Sequence, residues 1–179
     1  AYDKVAKMLG IGYPGGKIID ENSVKGKKDF HKFPVAKLKG NEFDFSFSGI
    51  KTSVLYFLKK IGFEENRNDK LVYDICASFQ EAMIKTLYEK TMDAAIKYKV
   101  KSISVSGGVS ANSGLRARFN IQKEKGYEIW FPEFEYSTDN AAMIGLTGYY
   151  KYMFSKNKNY FLTESLNQIA KPRLDYENF

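Results

Sequence analysis

Residues 102–112, which read SISVSGGVSAN, decide the fold class that the sequence predicts. Their first five residues alternate serine with β-branched side chains, a pattern typical of a short strand. Gly107-Gly108 ends this strand, and a helical pattern follows at 112–125. A second strand at 128–131 and a second helix at about 139–154 repeat the order. Strand, helix, strand, helix predicts an α/β layer with parallel strands.

The amino-terminal part of the chain predicts more helix than strand. Apolar residues recur there at helical spacing, and glycines mark the breaks between elements. The predicted elements are a helix at 1–9 ended by Gly10, a tight loop at 10–16, a short helix near 17–23, a strand at 43–48 stopped by Gly49, and helices at 50–61 and 70–98.

Length and composition indicate one folded domain. The chain has 179 residues, of which 44% are hydrophobic, and this composition excludes a disordered protein. We expect a single domain over 1–179, with a loop-rich segment (1–49), a helical segment (about 50–100), a strand–helix core (101–154) and a polar tail (155–179).

Cysteine and histidine are nearly absent, which excludes several kinds of site. Cys76 and His31 are the single residues of their types, so the sequence has no internal disulfide, no cysteine-rich zinc site and no HExxH protease motif. We expect Cys76 in the core and His31 exposed in a lysine-rich loop. No apolar run reaches the roughly 18 residues that a membrane span needs. We expect a cytoplasmic protein.

The chain is basic, with a formal net charge of +7 at pH 7. A basic surface attracts nucleic acid because phosphate contacts release counterions. A lysine- and asparagine-rich composition can also follow from biased genome composition. Charge alone leaves both interpretations open.

The first candidate site is the turn at 106–112. Exposed glycine backbone before a helix offers N–H donors to a phosphate. Gly107 and Gly108 can equally form a simple strand-to-helix turn, which is the commoner use of two glycines. Asn112 can equally serve as the helix N-cap.

Two further candidates contain aspartates. Asp139 follows the second strand and could bind a metal or phosphate, or serve as a cap or first-turn acid of the next helix, which is the commoner use. Because both junctions follow parallel strands, we expect Gly108 and Asp139 to face the same side of the sheet. Near the amino terminus, Asp3, Gly16 and Asp20 flank the glycine-rich loop; a short helix could aim the Asp20 carboxylate back over that loop, or the glycines could form an ordinary turn. Each motif alone indicates no more than an α/β domain that could bind a nucleotide.

Taken together, the motifs resemble the TsaD family, the catalytic subunit that makes threonylcarbamoyladenosine in tRNA and that was once called an O-sialoglycoprotein endopeptidase. They occur in the family's order and reach from residue 2 to about 154. The motifs are YDKVAK at 2–7 with Gly10 and YPGG at 13–16, FSFSGIKT at 45–52, ASFQEA at 77–82, SGGVSAN at 106–112 and STDNAAMI at 137–144.

This resemblance implies a fold, a reaction and a set of site residues. The implied fold is one lobe of an actin-like, sugar-kinase-like ATPase, so that 1–179 would be a single lobe with 1–49 as its substrate segment. The implied reaction moves a threonylcarbamoyl group from threonylcarbamoyl-adenylate to adenosine 37 of tRNA, with partner subunits. The implied metal is iron or zinc with Asp139 as one ligand, and the implied substrate-binding residues are Asp3, Gly16, Asp20, Gly107, Gly108 and Asn112.

The chain also departs from the family pattern. Members are about twice as long, and their first half carries an HxxxH metal motif and a Ser-Gly-Gly-His loop that are absent here. We therefore expect the carboxyl-terminal half of such a protein, inactive by itself. The alternatives are a non-catalytic lobe that docks a partner subunit, nucleotide or tRNA, and, ranked third, a sugar- or acid-kinase relative.

Overall fold

The computed structural model describes residues 1–34 and 42–156. These form a mixed α/β structure that is mostly helical, and the chain divides into two compact units, 1–138 and the residues from 139 on. The first unit contains α1 (Tyr2–Leu9), α2 (Gly15–Ser23), α3 (Ser48–Lys60), α4 (Phe63–Asn66), α5 (Asp69–Lys97), β1 (Ser102–Ser104), α6 (Ser113–Asn120) and β2 (Glu128–Trp130), with 3₁₀ turns at Gly108–Ala111, Ile121–Lys125 and Phe134–Tyr136.

α1 and α2 pack closely, and one glycine permits it. α1 buries Val5 and Leu9 and ends at Gly10, whose φ of 63° is the left-handed conformation of a helix C-cap. A Cβ on Gly15 would lie 2.6 Å from the Cα of Asp3, too close for any other residue at that position. The first residue of α2 can therefore lie directly against α1.

The first hydrophobic core lies between α1, α2, α3 and the first half of α5. Tyr2 and Phe79 contact edge to face in it, with ring centroids 5.2 Å apart. Its fully buried side chains include Val5, Leu9, Ile19, Val54, Ile75 and Cys76.

The second hydrophobic core lies between the second half of α5, the sheet and α6. α5 has 29 residues, about 44 Å of helix, which lets one element contact both cores. The first core ends on α5 at Met83, and the second begins at Ile84. The other buried members of the second core are Met92, Ala95, Ile103, Leu115, Phe119 and Ile129.

β1 and β2 pair in parallel, with Ile103 opposite Ile129. Both isoleucines are buried and their neighbours along each strand are exposed, which is the alternation of strands with one face on a core. α6 and a 3₁₀ turn connect the two strands. The predicted parallel strands with a helical connection are confirmed.

The loop after α2 is attached to α5 by buried polar side chains. Asp74 Oδ1 accepts a hydrogen bond from the Lys27 backbone N–H (2.8 Å). The Ser78 hydroxyl accepts from the His31 backbone N–H (3.1 Å) and donates to the Lys27 carbonyl (3.2 Å). Burial raises the pKa of Asp74, but the hydrogen bond from the Lys27 N–H and the interaction with Lys70 outweigh that effect. The pKa of Asp74 therefore lies below its usual value.

The predicted strand at 43–48 is wrong. Residues 44–47 have no regular secondary structure, and α3 begins at Ser48 with Gly49 inside its first turn. This segment is held by side chains instead of a sheet, since the Asp44 carbonyl accepts from Lys90 of α5 and Phe43 packs on Tyr98. Alternating aromatic residues therefore did not make a strand here, where no strand among residues 1–34 and 42–156 pairs with them.

Two other predicted elements have different bounds. α2 begins at Gly15 instead of residue 17, because Pro14 occupies the N-cap position and the Asp3 carboxylate accepts from the Gly15 N–H. The helix expected at 112–125 is α-helical only to residue 120 and continues as a 3₁₀ turn that ends at Gly126. The helices expected at 1–9, 50–61 and 70–98 are confirmed to within two residues.

In the second unit, α7 (Ala141–Phe154) begins after Asn140, whose side-chain oxygen accepts from the Met143 N–H (2.9 Å). No helix in the described part of the chain is both long and apolar enough to cross a membrane. The predicted tail at 155–179, apart from its first two residues, lies outside the described residues. The division of 1–179 into segments of one lobe stays a prediction.

Candidate functional site

Asp20 of α2 is hydrogen-bonded to residues of α5 and α6. Together with Gln80, Asn112 and Ser113 it forms a polar cluster. Its Oδ1 accepts hydrogen bonds from Gln80 Nε2 of α5 and from the Ser113 hydroxyl, both at 2.8 Å. Its Oδ2 accepts from the Ser113 backbone N–H, also at 2.8 Å. The carboxylate of Asp20 in α2 therefore caps the amino terminus of α6.

Asn112 lies on the other side of the same cluster. Its side-chain oxygen accepts from the Leu115 N–H (2.9 Å), so the N-cap interpretation is correct. Its Nδ2 donates to Gln80 Oε1 (2.7 Å), and the side chain is buried. The structure thus joins Asp20 and Asn112, separated by about 90 residues of sequence, through one glutamine.

Asp3 and Gly16 lie at the start of α2. Asp3 Oδ1 accepts from the Gly15 N–H at 2.8 Å, which fixes the carboxylate at the amino terminus of α2. Gly16 is exposed, and a Cβ placed on it would meet no atom within 4 Å. The described residues therefore leave open space over Gly16.

Gly107 and Gly108 form the turn after β1. Gly107 has φ 79° and ψ 174°, a conformation that is essentially restricted to glycine, and Gly108 begins a 3₁₀ turn. Both are exposed. Since Asp20 and Asn112 already occupy N–H groups at the start of α6, a phosphate would have to approach this glycine turn instead of the helix end.

The loops that follow the two strands are tied together within the first unit. Arg116 of α6 donates from Nε to the Ser110 carbonyl (2.6 Å) and from a terminal nitrogen to the Pro132 carbonyl (2.7 Å). Its guanidinium lies 4.1 Å from the ring centre of Phe134. The carboxyl ends of β1 and β2 therefore lead into adjacent loops, as expected for parallel strands.

Asp139 begins the second unit and is exposed. Asn140, not Asp139, caps α7, so the helix-cap alternative for Asp139 is wrong. That the Asp139 and Gly108 junctions face the same side stays a prediction, as does a metal at Asp139.

The described residues do not make a metal site by themselves. Within 1–34 and 42–156, no three His, Cys, Asp or Glu side chains lie together where they could hold an ion. An iron or zinc ion needs several such donors. Asp139 could supply one ligand, and the others would have to come from elsewhere.

Two residues near Asp20, Gln80 and Tyr2, were not assigned a role from the sequence. Gln80 bonds both Asp20 and Asn112, and a polar residue on the apolar side of a predicted helix was the signal for it. The Tyr2 hydroxyl is buried and has no hydrogen-bond partner within the described residues. Burial, and the nearby charge of Asp20, raise the pKa of Tyr2.

The expectation that Cys76 lies in the core is confirmed, whereas the expectation that His31 is exposed is wrong. Cys76 is fully buried as expected, and burial raises the pKa of its thiol to about 12. His31 is not the exposed side chain that we expected. It is half-buried and stacks on Phe57 with ring centroids 4.0 Å apart.

The fold and the polar cluster define a class of protein. It is a mixed α/β protein in which the side chains of Asp20 and Asn112 lie near the exposed turn at Gly107-Gly108. The model of the family of tRNA N6-adenosine threonylcarbamoyltransferases, TsaD, matches residues 1–146. The chain therefore belongs to the TsaD family.

Curated relatives agree with this assignment. The tRNA N6-adenosine threonylcarbamoyltransferase of Endomicrobium trichonymphae is 47% identical over all of this chain and 50% of its own length. That of Kosmotoga olearia is 48% identical over 84% of this chain and 44% of its own. That of Thermodesulfovibrio yellowstonii is 44% identical over 90% and 49%. The chain thus spans about half the length of the relatives it matches.

Proposed function

We propose that this chain is one lobe of a tRNA N6-adenosine threonylcarbamoyltransferase and that it holds the adenylate part of threonylcarbamoyl-adenylate. The observation that carries the proposal is the joining of Asp20 and Asn112 through Gln80 beside the glycine turn. Asp3, Gly16, Asp20, Gly107, Gly108 and Asn112 are the proposed substrate-binding residues.

Each group suits one part of an adenylate. Carboxylates such as Asp3 and Asp20 accept hydrogen bonds from ribose hydroxyls, and an ionised acceptor strengthens them. Exposed backbone at Gly107 and Gly108 lets a phosphate approach without meeting a side chain. Asp20 keeps acceptor capacity, because a carboxylate has about four lone-pair positions and the protein uses three.

The reaction that fits is an acyl transfer. The N6 amine of the tRNA adenosine attacks the carbamoyl carbon, the bond from that carbon to the phosphate oxygen breaks, and AMP leaves as the amine loses a proton. Fixed donors around the leaving phosphate stabilise the charge that develops there. The proposed role of this lobe is to orient the adenylate for that step.

For the metal, we propose that Asp139 supplies one ligand and that the remaining ligands lie outside this chain. A bound divalent ion would polarise a carbonyl or phosphate oxygen. No step here depends on it. The same reasoning leads us to propose that the chain alone does not carry out the transfer.

The larger fold we propose is one lobe of an actin-like, sugar-kinase-like ATPase. Support comes from the family and from the parallel β1–β2 pair with a helical connection. tRNA and partner subunits of the transfer complex are the proposed macromolecular partners. The net charge of +7 favours an RNA partner.

The second candidate is a lobe that docks a partner subunit, nucleotide or tRNA without chemistry. It is favoured by the absence of a metal donor group within the described residues. Binding of AMP separates an adenylate site from a lobe that docks only a partner subunit or tRNA.

The test has a binding arm and an activity arm on the same purified chain. Calorimetry with AMP and ATP should show binding. Incubation with tRNA, threonine, bicarbonate, ATP and the other enzymes of the modification should yield no threonylcarbamoyladenosine. The full-length Kosmotoga olearia relative is the positive control. Turnover comparable to that control would overturn the inactivity, and absence of nucleotide binding would overturn the adenylate role.

A further inference from the structure

We infer that Gln80 is a positioning residue for the nucleotide site: its buried amide holds Asp20 and Asn112 in the geometry that an adenylate requires. The inference rests on the proposed function. Gln80 acts through Asp20 and Asn112, to which its amide is hydrogen-bonded.

Both ends of the Gln80 amide are hydrogen-bonded. Nε2 donates to Asp20 Oδ1 (2.8 Å) and to the Ser23 hydroxyl (2.7 Å), and Oε1 accepts from Asn112 Nδ2 (2.7 Å). An amide has two N–H donors and one carbonyl, so these three contacts satisfy both of its ends. This pattern also fixes which end is nitrogen, because Asp20 can only accept when ionised.

Gln80 occupies a place where a hydrophobic residue would otherwise be expected. It is only 5% exposed, next to Phe79 of the first core and one turn before Ile84 of the second. An isolated polar group at such a place is costly, whereas a fully bonded one fixes a single arrangement of its partners. The arrangement fixed here is that of α2 against the turn before α6.

The close approach of α6 to α5 supports the same conclusion. A Cβ on Gly114 would lie 2.7 Å from Ile84 Cδ1 and 3.4 Å from Gln80 Nε2. The start of α6 is therefore packed directly on this turn of α5. A shift of the Gln80 amide moves Asn112 and, through Ser113, the cap that Asp20 supplies.

Two substitutions of Gln80 distinguish the effect of its hydrogen bonds from the effect of its volume. Gln80→Met keeps the volume but removes the hydrogen bonds, and leaves the Asn112 amide unpaired. Gln80→Glu keeps the acceptor but, when ionised, repels Asp20. When protonated, the glutamic acid can again donate to Asp20 and accept from Asn112. The charge of Asp20 also acts on the Tyr2 hydroxyl of α1, and Glu81, which follows Gln80 on α5, pairs with Arg118 of α6.

The experiment measures the Kd of the chain for AMP by calorimetry, with melting followed separately. Gln80→Met should weaken binding at least tenfold, a change of about 1.4 kcal/mol, and Gln80→Glu should weaken it at pH 7.5 and recover as the pH is lowered toward 5. Gln122→Met is the matched control, since that buried glutamine donates to Tyr88 Oη (2.6 Å) away from the cluster. It should leave the Kd unchanged.

Three outcomes overturn the inference. One is a folded Gln80→Met protein that binds AMP like the wild type. Another is a Gln80→Glu protein whose Kd for AMP does not recover at low pH relative to the wild type. If Gln80→Met does not fold, this pH dependence of Gln80→Glu alone tests the inference. A wild-type chain that binds no AMP removes the proposed function itself, and the inference with it, and so differs from the other two results.

Discussion

Gly15 and Gly16 are neighbours in α2 with opposite surroundings. An alanine Cβ at Gly15 would lie 2.6 Å from Asp3 Cα, whereas one at Gly16 would meet nothing within 4 Å. Gly15→Ala should therefore lower the free energy of unfolding by about 1–3 kcal/mol, because α2 must move away from α1. Urea unfolding measures this.

Gly16→Ala is the control for that experiment. Alanine is the better helix former, so stability should stay the same or rise by up to about 1 kcal/mol. Equal losses at the two positions would contradict the packing of α1 on α2.

His31 should make stability depend on pH. Burial against Phe57, and secondly the charge of Lys60, lower the pKa of His31 in the folded chain. The neutral ring therefore stabilises the fold above the unfolded pKa of about 6.5, and this stability is lost as the pH falls toward the folded pKa. Because the sequence has one histidine, its ring signals in NMR give that pKa directly.

His31→Phe keeps the stacking and removes the titration. Between about pH 7 and 5 its unfolding free energy should fall less than that of the wild type. Identical pH profiles, or a folded-state pKa at or above 6.5, would show that the buried environment of His31 is misassigned.

At the residue scale, the sequence could predict which residues belong to the candidate site but not which of them are hydrogen-bonded to each other. Asp20 and Asn112 were singled out from local motifs, and the cap made by Asn112 follows from its place before a helix. That Asp20 caps the same helix could not be predicted, because the contact joins residues 93 apart in sequence. Gln80 was visible as part of the ASFQEA motif and as a polar residue on an apolar helix face, but neither signal showed which residues it bonds.

Among the elements, α6 is held to both strand-end loops by Arg116. Its two donors reach the Ser110 and Pro132 carbonyls, and a lysine cannot make both bonds in that geometry. Arg116→Lys should destabilise the chain by about 1–3 kcal/mol in chemical unfolding.

The matched control for Arg116→Lys is Arg118→Lys on the same helix. Arg118 makes an ion pair with Glu81 that a lysine can keep, so the loss should be below about 1 kcal/mol. If Arg118→Lys costs as much as Arg116→Lys, the bridging role of Arg116 is refuted.

The helices and the parallel strands could be predicted because each carries its own periodicity and its own stop signal. Gly10 and Gly126 end elements as the sequence predicts, with left-handed φ values. The strand expected at 43–48 failed since alternation shows which faces residues take but not whether a partner strand lies alongside. Here the chain is bound to α5 by Lys90 instead.

On the scale of the whole protein, Asp139 tests the metal proposal in a full-length relative. Asn140 caps α7, so Asp139→Asn should leave melting of the metal-free protein nearly unchanged. If Asp139 is a ligand, metal content and transfer activity should both drop sharply, because asparagine is a poor substitute for a carboxylate ligand.

The neighbouring variant Asn140→Ala gives the opposite pattern. Loss of the cap should cost about 0.5–2 kcal/mol of stability with metal content retained. Normal metal content and activity in Asp139→Asn would leave Asp139 without a role in metal binding.

The most direct test of the nucleotide site is an NMR titration of the isotopically labelled chain with AMP. If the proposed site binds AMP, the backbone amide signals of Gly16, Gly107, Gly108 and Ser113 should shift together with one Kd. A cavity beside α3, lined by His31, Ser48, Thr52, Tyr56 and Lys60, provides the internal comparison. Shifts confined to that cavity, with the glycine and Ser113 signals unmoved, would contradict the proposed nucleotide site.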